Sequence, residues 1–124
     1  MIDIFHVEDD PDIREIVSMA LRLAGEFDVT QHPSGTQALA QPPRTAPDVF
    51  LLDVMLPDMT GFETLQQLRA LPALSDVPAI FMTAHRDDQR LEALCKQAQI
   101  DVIHKPIDPL ALGSQIRQKL AVMR

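Results

Sequence analysis

Five short apolar runs alternate with segments whose apolar residues recur at helical spacing, and this alternation constrains the fold more than any other feature of the chain. The first run, Ile2–Val7, leads to Asp10-Pro11, an N-cap followed by proline at the first helical position. Ile13, Ile16, Val17, Ala20, Leu21 and Ala24 then form one apolar stripe, and Gly25 supplies a helix stop. A second run covers 27–30, and Ser34-Gly35 opens a short helix containing Ala38 and Leu39. Pro42, Pro43 and Pro47 end that helix and stiffen the connection. The third run, 48–52, holds four consecutive apolar residues, as expected of a central strand buried on both faces. A loop over 55–60 precedes a helix over about 61–71, with Phe62, Leu65, Leu68 and Leu71 inward. A fourth strand over 77–82, a helix near 87–98 with Leu91, Leu94, Cys95 and Ala98 on one side, and a fifth strand over 100–104 follow. Asp108-Pro109 repeats the cap-plus-proline signal before a last helix lined by Leu112, Ile116 and Leu120. A βα unit repeated five times implies a parallel sheet with helices on both faces.

The polar residues fall in one place within this pattern. Strand one runs into Glu8-Asp9-Asp10, strand three into Asp53, strand four into Thr83 and strand five into Lys105-Pro106. In a parallel sheet these carboxyl ends share an edge, where open α/β folds bind ligands. Each residue alone has an ordinary reading. Glu8 to Asp10 reads as a solvated turn with Asp10 as cap, Asp53 as the partner of Lys105 in a structural ion pair, and Thr83 as a strand residue. The coincidence at one edge favours a shared site. Clustered carboxylates repel, and a hard divalent cation such as Mg²⁺ removes that cost through oxygen ligands. Asp53 is then placed to attack a phosphorus atom in line and form an acyl phosphate. Lys105 would supply a point charge, and the Thr83 hydroxyl a hydrogen bond, to phosphoryl oxygens.

Charge and composition bound the rest. The 124 residues fit one domain, and a net charge of −7 argues against nucleic acid as a direct partner. Residues 1–65 hold 12 acids and 3 bases, whereas residues 66–124 hold 6 acids and 8 bases, so the excess acid lies in the half that contains Glu8, Asp9 and Asp53. A single cysteine, Cys95, excludes an internal disulfide and suits a reducing, cytoplasmic setting. No apolar run approaches the ~20 residues that span a bilayer, so no membrane partner is expected. His6, His32, His85 and His104 lack metal-ligand spacing.

These motifs resemble the response-regulator receiver domain over essentially the whole chain, 1–124. The most specific stretch runs from Leu51 through Asp53, Met55, Pro57 and Gly61 to Glu63, similar to the family's phosphoacceptor strand and following loop. Val7 to Pro11, Thr83-Ala84 and Lys105-Pro106 are similar to its other three motifs. The resemblance implies a flavodoxin-like (βα)5 fold, a doubly wound five-stranded parallel sheet of order 2-1-3-4-5. It implies Mg²⁺ (or Mn²⁺) as cofactor, with Glu8 acting through water and Asp9, Asp53 and the Met55 backbone carbonyl as direct ligands. Asp53 would be the phosphorylation site, with Thr83, Ala84 and Lys105 around the phosphoryl group. Met55 and His85 would tune hydrolysis. The donor would be a histidine kinase or histidine phosphotransfer protein. The reader would be a downstream protein or an output domain absent from this chain. The domain would assist its own phosphorylation and dephosphorylation without being an enzyme otherwise.

Two departures stand out. Val102 occupies the position where the family often has an aromatic residue that moves with the threonine, which here is Thr83. Ile107 stands where a phenylalanine commonly follows Lys-Pro. Two other readings stay open: a pseudo-receiver scaffold, and an aspartyl-phosphate phosphohydrolase. The phosphohydrolase lacks its second acid, because Met55 stands at that position.

Overall fold

In the computed structural model of the protein, residues 1–84, 93 and 99–123 are described. Five parallel strands form one sheet: β1 (Ile2–Val7), β2 (Phe27–His32), β3 (Val49–Asp53), β4 (Ala79–Thr83) and β5 (Ile100–His104). Their order is β2-β1-β3-β4-β5, as expected. Helices α1 (Pro11–Ala24), α2 (Gly35–Ala40), α3 (Gly61–Arg69) and α4 (Leu112–Met123) pack on both faces. Apart from residue 93, the predicted helix near 87–98 lies outside the described residues, with Cys95 and His85. Among the described residues no helix is long and apolar enough to cross a membrane.

Strand alternation sorts the core into two layers. Phe5, Val7, Phe50, Leu52, Ala79 and Phe81 face α2 and α3, where they meet Ala38, Leu65 and Leu68. Ile4, Val49, Leu51, Ile80, Met82 and Ile103 face α1 and α4, where they meet Val17, Leu21, Leu112, Ile116 and Leu120. All five residues of β3 and all five of β4 are buried, which accounts for their unbroken apolar runs.

The helix starts follow local chemistry. The Asp10 carboxylate accepts from the Asp12 amide at 2.9 Å, and Ser34 Oγ accepts from the Gln37 amide at 3.1 Å. Thr60 caps α3 by accepting from the Glu63 amide at 3.1 Å, while its hydroxyl donates to the Glu63 carboxylate at 3.2 Å. Gly25 ends α1 at φ +82°, a left-handed conformation that glycine adopts without strain.

The structure departs from the sequence pattern in several places. Strand β2 continues to His32, two residues beyond the expected span. Helix α3 stops at Arg69, and a 3-10 turn at Pro72–Leu74 follows, so Leu71 is exposed rather than inward. Ile16 and Ala24 are exposed at the margin of the α1 stripe. Asp108 makes a turn of its own: its side chain accepts from the Leu110 amide and its carbonyl from the Ala111 and Leu112 amides. Helix α4 therefore begins at Leu112.

Candidate functional site

The sheet register brings the polar strand ends together. Val7 pairs with Leu52, so Glu8 and Asp53 each stand one residue past a matched pair. Thr83 pairs with His104, which puts Lys105 just beyond the end of β5. By alternation Glu8, Asp53 and Lys105 take the same side of the sheet as Leu51 and Ile103. Thr83 takes the opposite side, with Phe81 and the half-buried Val102. This edge, between β1 and β3, is where the strand order reverses, the position at which doubly wound sheets bind ligands.

Glu8, Asp9 and Asp53 each offer a carboxylate oxygen, and these oxygens lie within 4.8 Å of one another. Lys105 Nζ donates to Glu8 Oε1 at 3.1 Å and to Asp53 Oδ2 at 3.3 Å. The Met55 amide donates to Asp53 Oδ1 at 3.3 Å. Glu8 is fully buried, Asp53 nearly so, and Asp9 exposed. Burial, then the hydrogen bond and charge of Asp53, push the Glu8 carboxyl up to about 8 against the pull of Lys105. Burial works against the Lys105 charge, but Glu8 and Asp53 outweigh it and hold its pKa above the ordinary lysine value. Three carboxylates around one ammonium leave surplus negative charge at short range. The oxygen-only donor set, with a buried carboxyl driven toward its protonated form, fits a hard divalent cation that would take the proton's place.

The other expected site residues fall as follows. Thr83 is buried at the end of β4, and its carbonyl accepts from the Lys105 amide at 2.7 Å. Ala84 is exposed at the mouth of the edge. The Met55 side chain is exposed, at the start of a loop closed by a bridge between Met55 and Thr60. His85 lies outside the described residues. The peptide bond between Lys105 and Pro106 is cis.

Several residues support the site from outside it. Arg14 Nη1 donates to the Glu8 carbonyl at 2.8 Å and the Asp9 carbonyl at 3.0 Å, pinning the acidic turn to α1. Asp58, on the loop after β3, accepts from the Gly35 and Thr36 amides and from the Thr36 hydroxyl. The Thr36 hydroxyl bond above all holds its carboxyl below the usual carboxylate range. Gly61 lets α3 start against the site: a Cβ there would lie 2.2 Å from the Asp53 carbonyl oxygen. Gly61 already stands in the most specific sequence stretch, and Arg14 offers a hint as a lone cation beside an acidic run. The Asp58 contact joins residues 22 apart and has no periodic signal.

The family model described as response regulator receiver domain matches residues 4–117. An uncharacterized 14.6 kDa protein in the sodA1 3′ region of Leptolyngbya boryana is 35% identical over 117 residues, covering 94% of this chain and 88% of that protein. The DNA-binding response regulator MtrA of Mycolicibacterium smegmatis is 35% identical over 114 residues, covering 92% of this chain and 48% of that protein. The chain thus spans about half the length of the DNA-binding regulators it matches. Chemotaxis response regulator CheY4 of Vibrio cholerae superposes with a TM-score of 0.84 at 27% identity, covering 96% of this chain and 98% of that one.

Proposed function

This chain belongs to the response regulator receiver domain family, and on that premise we propose that Asp53 accepts a phosphoryl group from a phosphohistidine donor. The observation that carries this reading is the convergence of the Glu8, Asp9 and Asp53 carboxylates within 4.8 Å, with Lys105 Nζ 3.3 Å from Asp53. An Asp53 carboxylate oxygen attacks phosphorus as the bond from phosphorus to the donor imidazole breaks. An acyl phosphate forms, and the departing imidazole takes a proton from solvent. Mg²⁺ (or Mn²⁺) would be held by Asp9, Asp53 and the Met55 carbonyl, with Glu8 acting through water, and would supply positive charge that neutralises the transferring group. Lys105 transfers its ion pair from Asp53 to a phosphoryl oxygen, and the Thr83 hydroxyl donates to another. Ala84 leaves the mouth open because it lacks a side chain that could close it. Met55 and His85 set how readily water reaches the acyl phosphate.

The donor would be a histidine kinase or histidine phosphotransfer protein in the cytoplasm, and the domain would catalyse nothing beyond its own phosphorylation and hydrolysis. Readout would start at Thr83 and Val102, which share one face of the sheet. Val102 is half-buried against Phe81 and its neighbours, so the change would be a shift in aliphatic packing rather than the swing of an aromatic ring. Output would pass to a protein partner or an attached domain. Contact with DNA, as in the named relative, would belong to such a domain, since a net charge of −7 disfavours it here.

Incubation with Mg²⁺ and acetyl phosphate tests the reading by intact mass. The expected result is one hydroxylamine-labile phosphoryl group on the wild type and none on Asp53→Asn. An equal yield on Asp53→Asn, or no adduct on the wild type, would overturn it.

A further inference from the structure

Two buried polar atoms at this edge have no hydrogen-bond partner among the described residues, His6 Nε2 and Glu8 Oε2. His6 lies on β1 and Glu8 one residue past its end, two apart, so by continued alternation both side chains take the same side of the sheet, and both are fully buried. Their polarities can be assigned. The Gln31 side-chain nitrogen lies 2.8 Å from the Arg14 carbonyl oxygen and 3.1 Å from His6 Nδ1. The carbonyl accepts only, so the Gln31 amide must present NH₂ there, because the flipped amide would set oxygen against oxygen. The second hydrogen of that NH₂ then goes to His6 Nδ1, which is therefore the unprotonated nitrogen. The ring proton sits on Nε2. One orphan is thus a buried donor and the other a buried carboxyl oxygen, on the same side of the sheet. Leaving both unmade would be costly, and one water between them satisfies both, since it accepts from the His6 Nε2–H and can either donate to or accept from the Glu8 oxygen.

We propose that His6 is a positioning residue for the acidic site, its Nε2–H linked to Glu8 Oε2 through one buried water. The inference rests on the reading of Glu8 as part of the cation site. Lys105 fixes Glu8 Oε1, and His6 would fix Oε2, so the carboxylate is held at both oxygens. Gln31 and Arg14 extend the support. Gln31 orients the imidazole from β2, and the Arg14 guanidinium holds the Glu8 and Asp9 carbonyls from α1. A chain of hydrogen bonds thus runs from the edge strand and first helix to the carboxylate beside Asp53. Outer groups of this kind orient metal ligands without touching the ion.

Two measurements on the full chain test it. Nitrogen-15 NMR of the histidine rings without divalent metal should show His6 as the Nε2–H tautomer. Glu8→Gln should move that resonance, whereas Glu26→Gln should not. An Nδ1–H tautomer, or a His6 ring indifferent to Glu8→Gln, would overturn the proposal. The second measurement is Mg²⁺ calorimetry on His6→Leu, which removes the donor but keeps an apolar core. Its thermal midpoint should hold or rise while Mg²⁺ affinity falls about tenfold, and His6→Gln, which keeps a donor, should stay within about threefold of wild type. Unchanged affinity in His6→Leu would reduce His6 to a packing residue. A wild type that binds no Mg²⁺ would instead sink the cation site itself, and the NMR measurement would still decide the link between His6 and Glu8.

Discussion

The two ends of the same sheet use charge in opposite ways. At the amino edge, charged side chains are turned onto the backbone. The Asp48 carboxylate accepts from the Asp3 amide at 2.7 Å, while the Asp48 amide donates to the Asp3 carbonyl at 2.8 Å. Arg69 donates to the Val77 carbonyl at 2.8 Å and the Gln99 carbonyl at 3.2 Å, tying together the chain just before β4 and β5. At the carboxyl edge, Glu8, Asp9 and Asp53 face one another with Lys105 between two of them. The first arrangement satisfies backbone groups and asks for nothing more. The second holds like charges together at a cost that only a cation or proton relieves. One edge closes its charges on the backbone, and the other gathers carboxylates against a single lysine.

The contrast breaks first at Lys105. Lys105→Met leaves the buried Glu8 and Asp53 carboxyls without a counter-charge and should cost ~3 kcal/mol in metal-free protein. Urea unfolding in chelator measures the loss, and saturating Mg²⁺ should recover most of it. An equal loss with and without Mg²⁺ would mean that a cation does not stand in for the missing charge. Arg69→Ala comes next, at ~2 kcal/mol, because two half-buried carbonyls lose their donor. Phosphorylation of Asp53 should be unchanged in this variant, and a fall in adduct yield would show the two edges to be coupled.

What the sequence made legible follows from the same division. Val49 to Leu52 could be read as a central strand because both its faces are covered, and the acid after it was conspicuous for that reason. A parallel sheet aligns every carboxyl end, so element order alone gathered Glu8, Asp53, Thr83 and Lys105. Strand parity distinguishes the buried Glu8 from the exposed Asp9 only once the register is known. The tertiary supports were not legible. Arg14, Asp58 and Arg69 act on backbone groups of other elements, and such contacts leave no periodic trace. The apolar pattern overran the end of α3, and proline misled at the start of α4. Pro72 starts a 3-10 turn that leaves Leu71 outside, and Pro109 sits in a turn closed by Asp108 rather than in the first turn of α4.

The pH dependence of stability sharpens the comparison further. The Glu8 carboxyl, raised from 4.5 to about 8, keeps its proton in the folded protein after the unfolded chain has released it. Its contribution is whole below pH 4.5 and is lost as pH rises toward 8. His6 runs the other way: burial lowers its pKa from 6.5 to about 3, so its contribution is whole above 6.5 and is lost as pH falls toward 3. Between 4.5 and 6.5 the two slopes oppose, each up to ~1.4 kcal/mol per pH unit. In chelator, Glu8→Gln should leave stability rising from pH 3 to 6.5, and His6→Leu should leave it falling from 4.5 to 8. Urea midpoints across pH would read both, and parallel curves for the two variants would refute the assignment.

The smallest effect belongs to the amino edge. Asp48→Ala removes the acceptor of the Asp3 amide, but that bond is solvent-exposed and water can replace it, so the cost should be ~1 kcal/mol or less. Its thermal midpoint should fall by a few degrees, equally with and without Mg²⁺, because no ligand at the far edge can repair a backbone bond here. Its acetyl phosphate adduct should form in wild-type yield. A Mg²⁺-dependent rescue of Asp48→Ala would mean that β1 and β3 transmit strain along their length. The two edges would then be coupled, and the amino edge would not be a fixed base for the acidic site.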